Sequence, residues 1–270
     1  MPATQTIHPT AVLEGEFDLA DDVVIGPGCV LTGPITIGPG CHLIGNVYLN
    51  GPLTIGANNT IYPFSCLGFA PQHRKYDPAT PGHGIVIGDD NIFREQVTIH
   101  RAFTDEGPTR IGDRNYFMAA SHAGHDSQIG DDSSFANCVL LGGHVIVDDH
   151  VTIGGNTGIH QFVHIGRYTM IAGGIGATLD IPPYLTMTAT NVCGSINRVG
   201  LRRAGFTHEQ IDDVRWVYRT LYRRGLTVNS ALDVLRERGD RPIIREYIDF
   251  IEASTRGICT TRAKASRGTS

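Results

Sequence analysis

Half of the twelve histidines in this chain crowd into one stretch, among them His122, His125, His144, His160 and His164. A neutral imidazole can accept a proton near pH 7, which is what a general base needs to activate a hydroxyl group. His125 is followed directly by Asp126, a carboxylate able to orient its ring. Neighbouring residues on an extended strand point to opposite faces, so the two side chains meet only if the backbone bends between them. Gly142-Gly143 supplies a second element. Backbone without a side chain lets a reacting group approach closely, and an N–H left free there can stabilise a developing oxyanion. A proton acceptor and a bare amide are what direct acyl transfer requires.

These groups are useful only if something holds them together, and the surrounding sequence has a period that does so. Ile111, Phe117, Ala123, Ile129, Phe135, Leu141, Val147, Ile153, Ile159, Ile165 and Ile171 keep one register of six. The fifth place of each six is small or β-branched, from Ser121 to Thr169. Such a period marks a parallel β-helix, each six giving one short strand and one turn. Three sixes make a coil, apolar leaders point into the prism, and Gly-rich corners are expected to make the tight turns. Residues eighteen apart then stack. His125, Gly143 and Gln161 form one column; Asp126 and His144 form the next; Gly124, Gly142 and His160 lie on the other side. Coils ~4.8 Å apart bring His125, His144, His160 and Gln161 to one corner, in reach of one small ligand. Three histidines can also hold zinc and activate water, as in hexapeptide proteins resembling carbonic anhydrases. A Gln and a glycine pair at the same corner favour a reading with no metal.

The coils begin early, with Ile7 to Ala11 as a capping coil and Val24-Ile25-Gly26 and Ile37-Gly38-Pro39 as further units. Phe69 to Gly84 and Ala102 to Pro108 interrupt the repeat and read as loops thrown out from corners, natural places for ligand contacts. Ile181-Pro182-Pro183-Tyr184 ends it. The period then turns helical. Thr207 with Gln210 forms a capping box, Ile211, Val214, Tyr218 and Leu221 make one stripe, and Gly225 stops the helix. A second helix follows Thr227 and buries Ala231, Leu232 and Leu235; a third opens at Pro242 and buries Ile244, Tyr247, Ile248 and Ile251. The expected organisation is an all-β parallel β-helix of hexapeptide repeats over 1–190, a small α-helical C-terminal domain over 191–258, and a disordered tail over 259–270.

Six scattered cysteines without a C-x-x-C pair read as reduced thiols of a cytoplasmic protein. Met1 to Glu16 lacks the features of a secretory signal, and no stretch approaches the ~20 apolar residues of a membrane span. Residues 1–197 carry 7 Lys+Arg and 18 Asp+Glu, net −11; residues 198–270 carry 15 and 9, net +6. An acidic body argues against nucleic acid as a partner, whereas Arg202, Arg203, Arg215, Arg219 and Arg223 suit an acidic protein.

Six motifs carry a resemblance. His122-Ala123-x-His125-Asp126, Leu141-x-Gly143-His144-Val145, His160-Gln161-Phe162, Pro182-Pro183-Tyr184, Gly200-Leu201-Arg202-Arg203-x-Gly205-Phe206 and Ser254-Thr255-Arg256-Gly257 are similar to the acyl-carrier-protein–UDP-N-acetylglucosamine O-acyltransferases that begin lipid A biosynthesis. The resemblance implies left-handed β-helices in a homotrimer, active sites in the clefts between subunits, and no cofactor. His125 is then the general base for the sugar 3-position, Asp126 its orienting partner and Gly143 the oxyanion donor. Gln72, His73, Lys75, His122, His144, His160, Gln161, Asn197 and Arg203 match positions that hold the nucleotide-sugar, and acyl carrier protein becomes the acidic partner.

The resemblance also implies an acyl groove along the column Asn137, Gly155 and Gly173, where glycine at 173 leaves room for a long, 3-hydroxylated chain. Three residues depart from the family pattern: His73 where Asp is usual, Val199 where Glu is usual and Ala204 where Arg is usual. These changes keep a 3-amino nucleotide-sugar open as the acceptor. A sister hexapeptide acyltransferase and a non-catalytic scaffold are the other classes.

Overall fold

The structure, a computed structural model, describes residues 6–104 and 106–261. Strands of two or three residues succeed one another around three sides. Tyr116–Phe117, His122–Ala123 and Gln128–Ile129 each start a side, and Ser134–Phe135 returns to pair in parallel with the first. Phe117 thus lies beside Phe135, Ala123 beside Leu141 and Ile129 beside Val147. The result is a left-handed parallel β-helix followed by four short helices. The first loop lengthens the spacing of stacked residues to 32 and the second to 24, after which it returns to 18. The first loop leaves through a local register shift between Leu67 and Phe69, where Phe69 pairs with His100, and the coil resumes its register after it.

The inside of the prism follows from the period. Every apolar leader from Ile111 to Ile171 is 4% exposed or less. Phe93, Phe117 and Phe135 stack on successive coils with centroids 5.1 and 4.4 Å apart. One column of the interior is polar. Asn59 Oδ1 accepts the Asn91 N–H at 3.0 Å, Asn91 Oδ1 accepts the Asn115 N–H at 2.8 Å, and Asn115 Oδ1 accepts the Ser133 N–H at 2.9 Å. Their amide nitrogens donate to the carbonyls of Gly88, Gly112 and Gly130. Buried amides are tolerated here because each satisfies corner backbone that would otherwise lack a partner.

The corners differ from expectation in one respect. The seats with positive φ recur every six residues, but they hold Ala120, Asp126, Asp132, Cys138, His144, His150, Asn156, Phe162 and Tyr168, at φ of 55° to 66°. Each such seat costs a non-glycine residue ~1 kcal/mol or more. It is offset by an N–H that reaches the coil below, as His144 does to the His125 carbonyl at 2.8 Å and Phe162 to the Gly143 carbonyl at 3.0 Å. The glycines after the leaders serve another purpose. A Cβ on Gly142 would lie 2.7 Å from the Gln161 nitrogen, and one on Gly154 2.4 Å from the Gly173 nitrogen. Glycine is required there by the spacing of one coil on the next, not by a left-handed turn.

The coil closes later than residue 190. Leu185–Ala189 pairs antiparallel with Val192–Ile196, so β structure runs to Ile196. Helices α1 (Arg198–Arg203), α2 (His208–Arg223), α3 (Val228–Arg236) and α4 (Pro242–Ala253) follow. Thr207 and Gln210 form the reciprocal cap at α2. Helix α1 is too short to show a stripe and buries only Leu201, which hides it from periodicity. Arg167 holds Glu246 of α4 with two bonds of 2.6 Å, and the Tyr184 hydroxyl donates to the same carboxylate. Cys259 and Thr260 are not part of a free tail. Their N–H groups donate to the carbonyls of Asp180 and Asn191, and Cys193 donates to the Thr260 carbonyl at 2.7 Å. The rest of that expected tail, 262–270, lies outside the described residues.

Asn91→Ala removes one rung of the amide ladder and leaves the Asn115 N–H and the Gly112 carbonyl without partners. At ~1–3 kcal/mol for each stranded buried group, a loss of roughly 2–4 kcal/mol is expected. Thermal and denaturant melts at fixed protein concentration check it; an unchanged midpoint would contradict the role given to the ladder.

Candidate active site

His125 and Asp126 occupy a corner, and Asp126 sits in its left-handed seat at φ 61°. That bend turns two neighbouring side chains toward each other, and His125 Nδ1 lies 2.6 Å from Asp126 Oδ2. The carboxylate is buried and heavily solvated by protein. The Phe103 N–H, the Thr104 N–H and the Thr104 hydroxyl donate to it at 3.0, 3.0 and 2.7 Å. Burial alone would raise the Asp126 carboxyl, but the donors from His125, Thr104 and Phe103 outweigh it and hold the group well below the usual carboxylate range. With Nδ1 committed to the carboxylate, Nε2 is the nitrogen left for a substrate proton.

One coil on, Gly143 presents bare backbone to this ring. A Cβ there would lie 2.6 Å from His125 Cε1 and 2.7 Å from Nε2, so the imidazole fills the space a side chain would take. The Gly143 N–H donates to no acceptor among the described residues. Gln161 stacks above Gly143, exposed. His144 meets the His125 ring edge-on at 5.2 Å and stacks on Phe162 at 4.5 Å, with Nε2 3.6 Å from Asp126 Oδ2.

Two depressions flank the corner. One, of about 680 Å³, runs along the outer face of the strands that hold His122, Leu140 and Gly158, and is also lined by Gln72, His160 and Thr178. Cβ atoms on Gly158 would meet nothing within 4 Å. The other, of about 470 Å³, is lined by Thr104, Arg110, Asp126, Gln128, His144 and Phe162. The first loop folds back over the corner. His73 lies 4.4 Å from the Phe103 ring and 6.3 Å from that of His125. Lys75 is exposed beside it, its N–H donating to His73 Nδ1 at 3.3 Å. His122 bonds the Thr98 hydroxyl at 2.8 Å, and His160 Nδ1 faces Arg256 at 3.2 Å.

The structure therefore gathers His125, Asp126, Gly143, His144, Gln161, His73, His122, His160 and Gln72 around one corner and its flanks. It does not bring Asn197 or Arg203 there. Asn197 caps α1 through Gly200 N–H and donates to the Tyr168 carbonyl, at the next corner of the prism. Arg203 is exposed in the last turn of α1. Asn137, Gly155 and Gly173 stack at the third corner, across the strand face from His125. Thr104, Phe103, Thr109 and Arg101 were not among the expected site residues. The Asp126 N–H donates to Thr109 at 2.9 Å, and buried Arg101 ties the first loop down through the carbonyls of Pro78 and Thr80, both at 2.9 Å. Only an unpaired Arg and Thr within otherwise apolar coil positions hinted at them.

Residues 180–259 match the family model of UDP N-acetylglucosamine O-acyltransferase, domain 2. A Halorhodospira halophila acyl-carrier-protein–UDP-N-acetylglucosamine O-acyltransferase is 41% identical over 255 residues, which cover 93% of this chain and 98% of that one. The chain belongs to the UDP-N-acetylglucosamine O-acyltransferase family. The crystal structure of the Francisella novicida UDP-N-acetylglucosamine acyltransferase is similar to it at a TM-score of 0.91 and 36% identity, over 94% of each chain. The solved structure of the Campylobacter jejuni UDP-N-acetylglucosamine acyltransferase is similar at 0.87 and 31%, over 95% of this chain and 100% of that one. Membership of this acyltransferase family disfavours the zinc reading. So does the geometry. His125, Asp126 and His144 present ligand atoms within 4.8 Å of one another, but His125 Nδ1 and the carboxylate are engaged with each other and with the loop.

Burial depresses three histidines around this corner: His122, His144 and His100. His100 is 8% exposed with no partner for Nδ1 among the described residues, and burial, followed by the charges of His122 and His125, pushes it down to about 4. Between an unfolded value near 6.5 and that folded one, the unfolded chain holds the extra proton. Stability should therefore fall as pH drops through this window, by up to ~1.4 kcal/mol per pH unit for each such group. His100→Leu is expected to flatten part of that fall in denaturant melts at several pH values. An unchanged slope would contradict the assignment.

Proposed function

We propose that this enzyme moves a 3-hydroxyacyl chain from acyl carrier protein to the 3-hydroxyl of UDP-N-acetylglucosamine, the first step of lipid A biosynthesis. The observation that carries the reading is the His125–Asp126 pair set over the unengaged N–H of Gly143. His125 Nε2 takes the proton of the sugar hydroxyl, and the oxygen attacks the thioester carbonyl carbon. The oxyanion that forms is held by the Gly143 N–H. The intermediate collapses with loss of the C–S bond, and the imidazolium returns its proton to the departing carrier thiolate. Asp126 keeps the ring in one tautomer and stabilises the imidazolium, as in acid–base–nucleophile triads. No covalent enzyme intermediate and no cofactor enter the scheme.

Several placements fit this chemistry. The open face carrying Gly158, with Gly155 and Gly173 at its far edge, suits a long acyl chain. His73, Lys75, His122, His160 and Gln161 ring the corner where the nucleotide-sugar would sit. Asn197 and Arg203 stand away from the His125 corner of their own chain, which supports a homotrimer whose clefts draw on two protomers. Arg202, Arg203 and Arg219 are exposed along the helical end and suit acidic acyl carrier protein, whereas Arg215 is offset by Asp212. No helix of the described residues is long and apolar enough to cross a membrane, and the six cysteines are free, which fits work in the cytoplasm. The 3-amino acceptor is not favoured, because the relatives are named as acyltransferases of UDP-N-acetylglucosamine.

Purified enzyme with carrier thioester and UDP-N-acetylglucosamine should yield the 3-O-acyl sugar nucleotide by mass spectrometry. A general base is typically worth ~10²–10⁴ in rate, so His125→Ala should lower turnover by that order with an unchanged melting temperature. Wild-type turnover in that variant would end the assignment.

A further inference from the structure

The second loop, Ala102 to Pro108, does not reach out toward solvent with all its residues; it turns back and grips the carboxylate that orients the base. The side chain of Asp126 is 6% exposed. Its two oxygens are divided between two tasks. Oδ2 faces His125 Nδ1 at 2.6 Å and takes the Phe103 N–H at 3.0 Å. Oδ1 takes the Thr104 N–H at 3.0 Å and the Thr104 hydroxyl at 2.7 Å. The hydroxyl must be the donor, because an ionised carboxylate only accepts.

A carboxylate in this position has a competing partner. His144 Nε2 is 3.6 Å from the same Oδ2. Rotation of the carboxylate would redistribute it between the two imidazoles and release His125 from its single tautomer. The Thr104 hydroxyl opposes that rotation from the far side, with the shortest of the loop's three bonds. The same loop also meets the ring it serves: Phe103 lies 5.6 Å from His125 and 4.4 Å from His73. Arg101, at the foot of the loop, is anchored to Asn50 at 2.8 Å as well as to the first loop.

We propose that Thr104 is a positioning residue for acyl transfer, its hydroxyl fixing the Asp126 carboxylate so that, of the two imidazoles beside it, Oδ2 serves His125 and not His144. This rests on His125 as the base, and loss of turnover in His125→Ala, measured alongside, tests that reading separately. Thr104→Val keeps the shape and the backbone N–H and removes the hydroxyl; Thr104→Ser keeps the donor. The expected result is a kcat about tenfold lower in Thr104→Val, with KM for the nucleotide-sugar within about twofold of wild type, and near-wild-type kcat in Thr104→Ser. In an Asp126→Ala background, Thr104→Val should then cost little, because the group it acts through is gone. A contribution that is merely structural would remain in that background. Wild-type kcat in Thr104→Val, equal impairment of Thr104→Ser, or an undiminished loss on top of Asp126→Ala would overturn the proposal. Should Thr104→Val melt early, Thr104→Ala in the same cycle decides the point by the same criteria.

Discussion

The structure depends on a backbone that turns left once in every six residues. This corner lets adjacent side chains meet when a straight strand would send them to opposite faces. Along most of the coil it only closes the prism. At Asp126 it brings a carboxylate against the ring of the preceding histidine. At His144, directly above, the same seat sets a second imidazole beside that carboxylate. The conformational cost of the seat is met by N–H bonds to the coil below, so the geometry of the chemistry is inherited from the way the coils stack.

Stacking also explains why the pair faces a bare amide. A residue at 143 with any side chain would strike the His125 ring, and glycine removes both the clash and the cover over its N–H. His125, Asp126 and the Gly143 amide therefore belong to two successive coils and need no long-range folding accident to meet. What the coil does not supply is the insulation of Asp126. That comes from the two loops, tied to each other through Phe103, His73, Tyr76 and Arg101. A carboxylate with several donors in a poorly solvated place stays ionised, and an ionised partner is what an imidazolium needs beside it.

Much of this was legible in residue order. Eighteen-residue arithmetic placed His125 under Gly143 and Gln161, because side-chain period and coil length are fixed by backbone geometry. The capping box at Thr207 and the stripe of α2 were readable for the same reason. Other features were not. The bend between His125 and Asp126 involves no glycine or proline, and the mild tolerance of Asp for a left-handed seat is too weak a signal to announce it. Thr104 reaches Asp126 through a loop whose path depends on Arg101 and its carbonyl partners, contacts that carry no period. Glycines after the leaders looked like turn formers, yet close approach of the next coil is their reason. Cys259 and Thr260 looked like the start of a polar tail, but Cys259 pairs with Asp180 at the end of the coil and Thr260 with the hairpin that closes it.

If the corner makes His125 and Asp126 one functional unit, removing the charge on the carboxylate must slow the reaction. Single-turnover acyl transfer from carrier thioester to UDP-N-acetylglucosamine by Asp126→Asn reads this out. The amide is nearly isosteric but cannot hold the ring in the same tautomer or balance an imidazolium. A transfer rate lower by roughly ten- to a thousandfold, with melting temperature unchanged, is the predicted result. A wild-type rate in that variant would show that His125 works without its carboxylate.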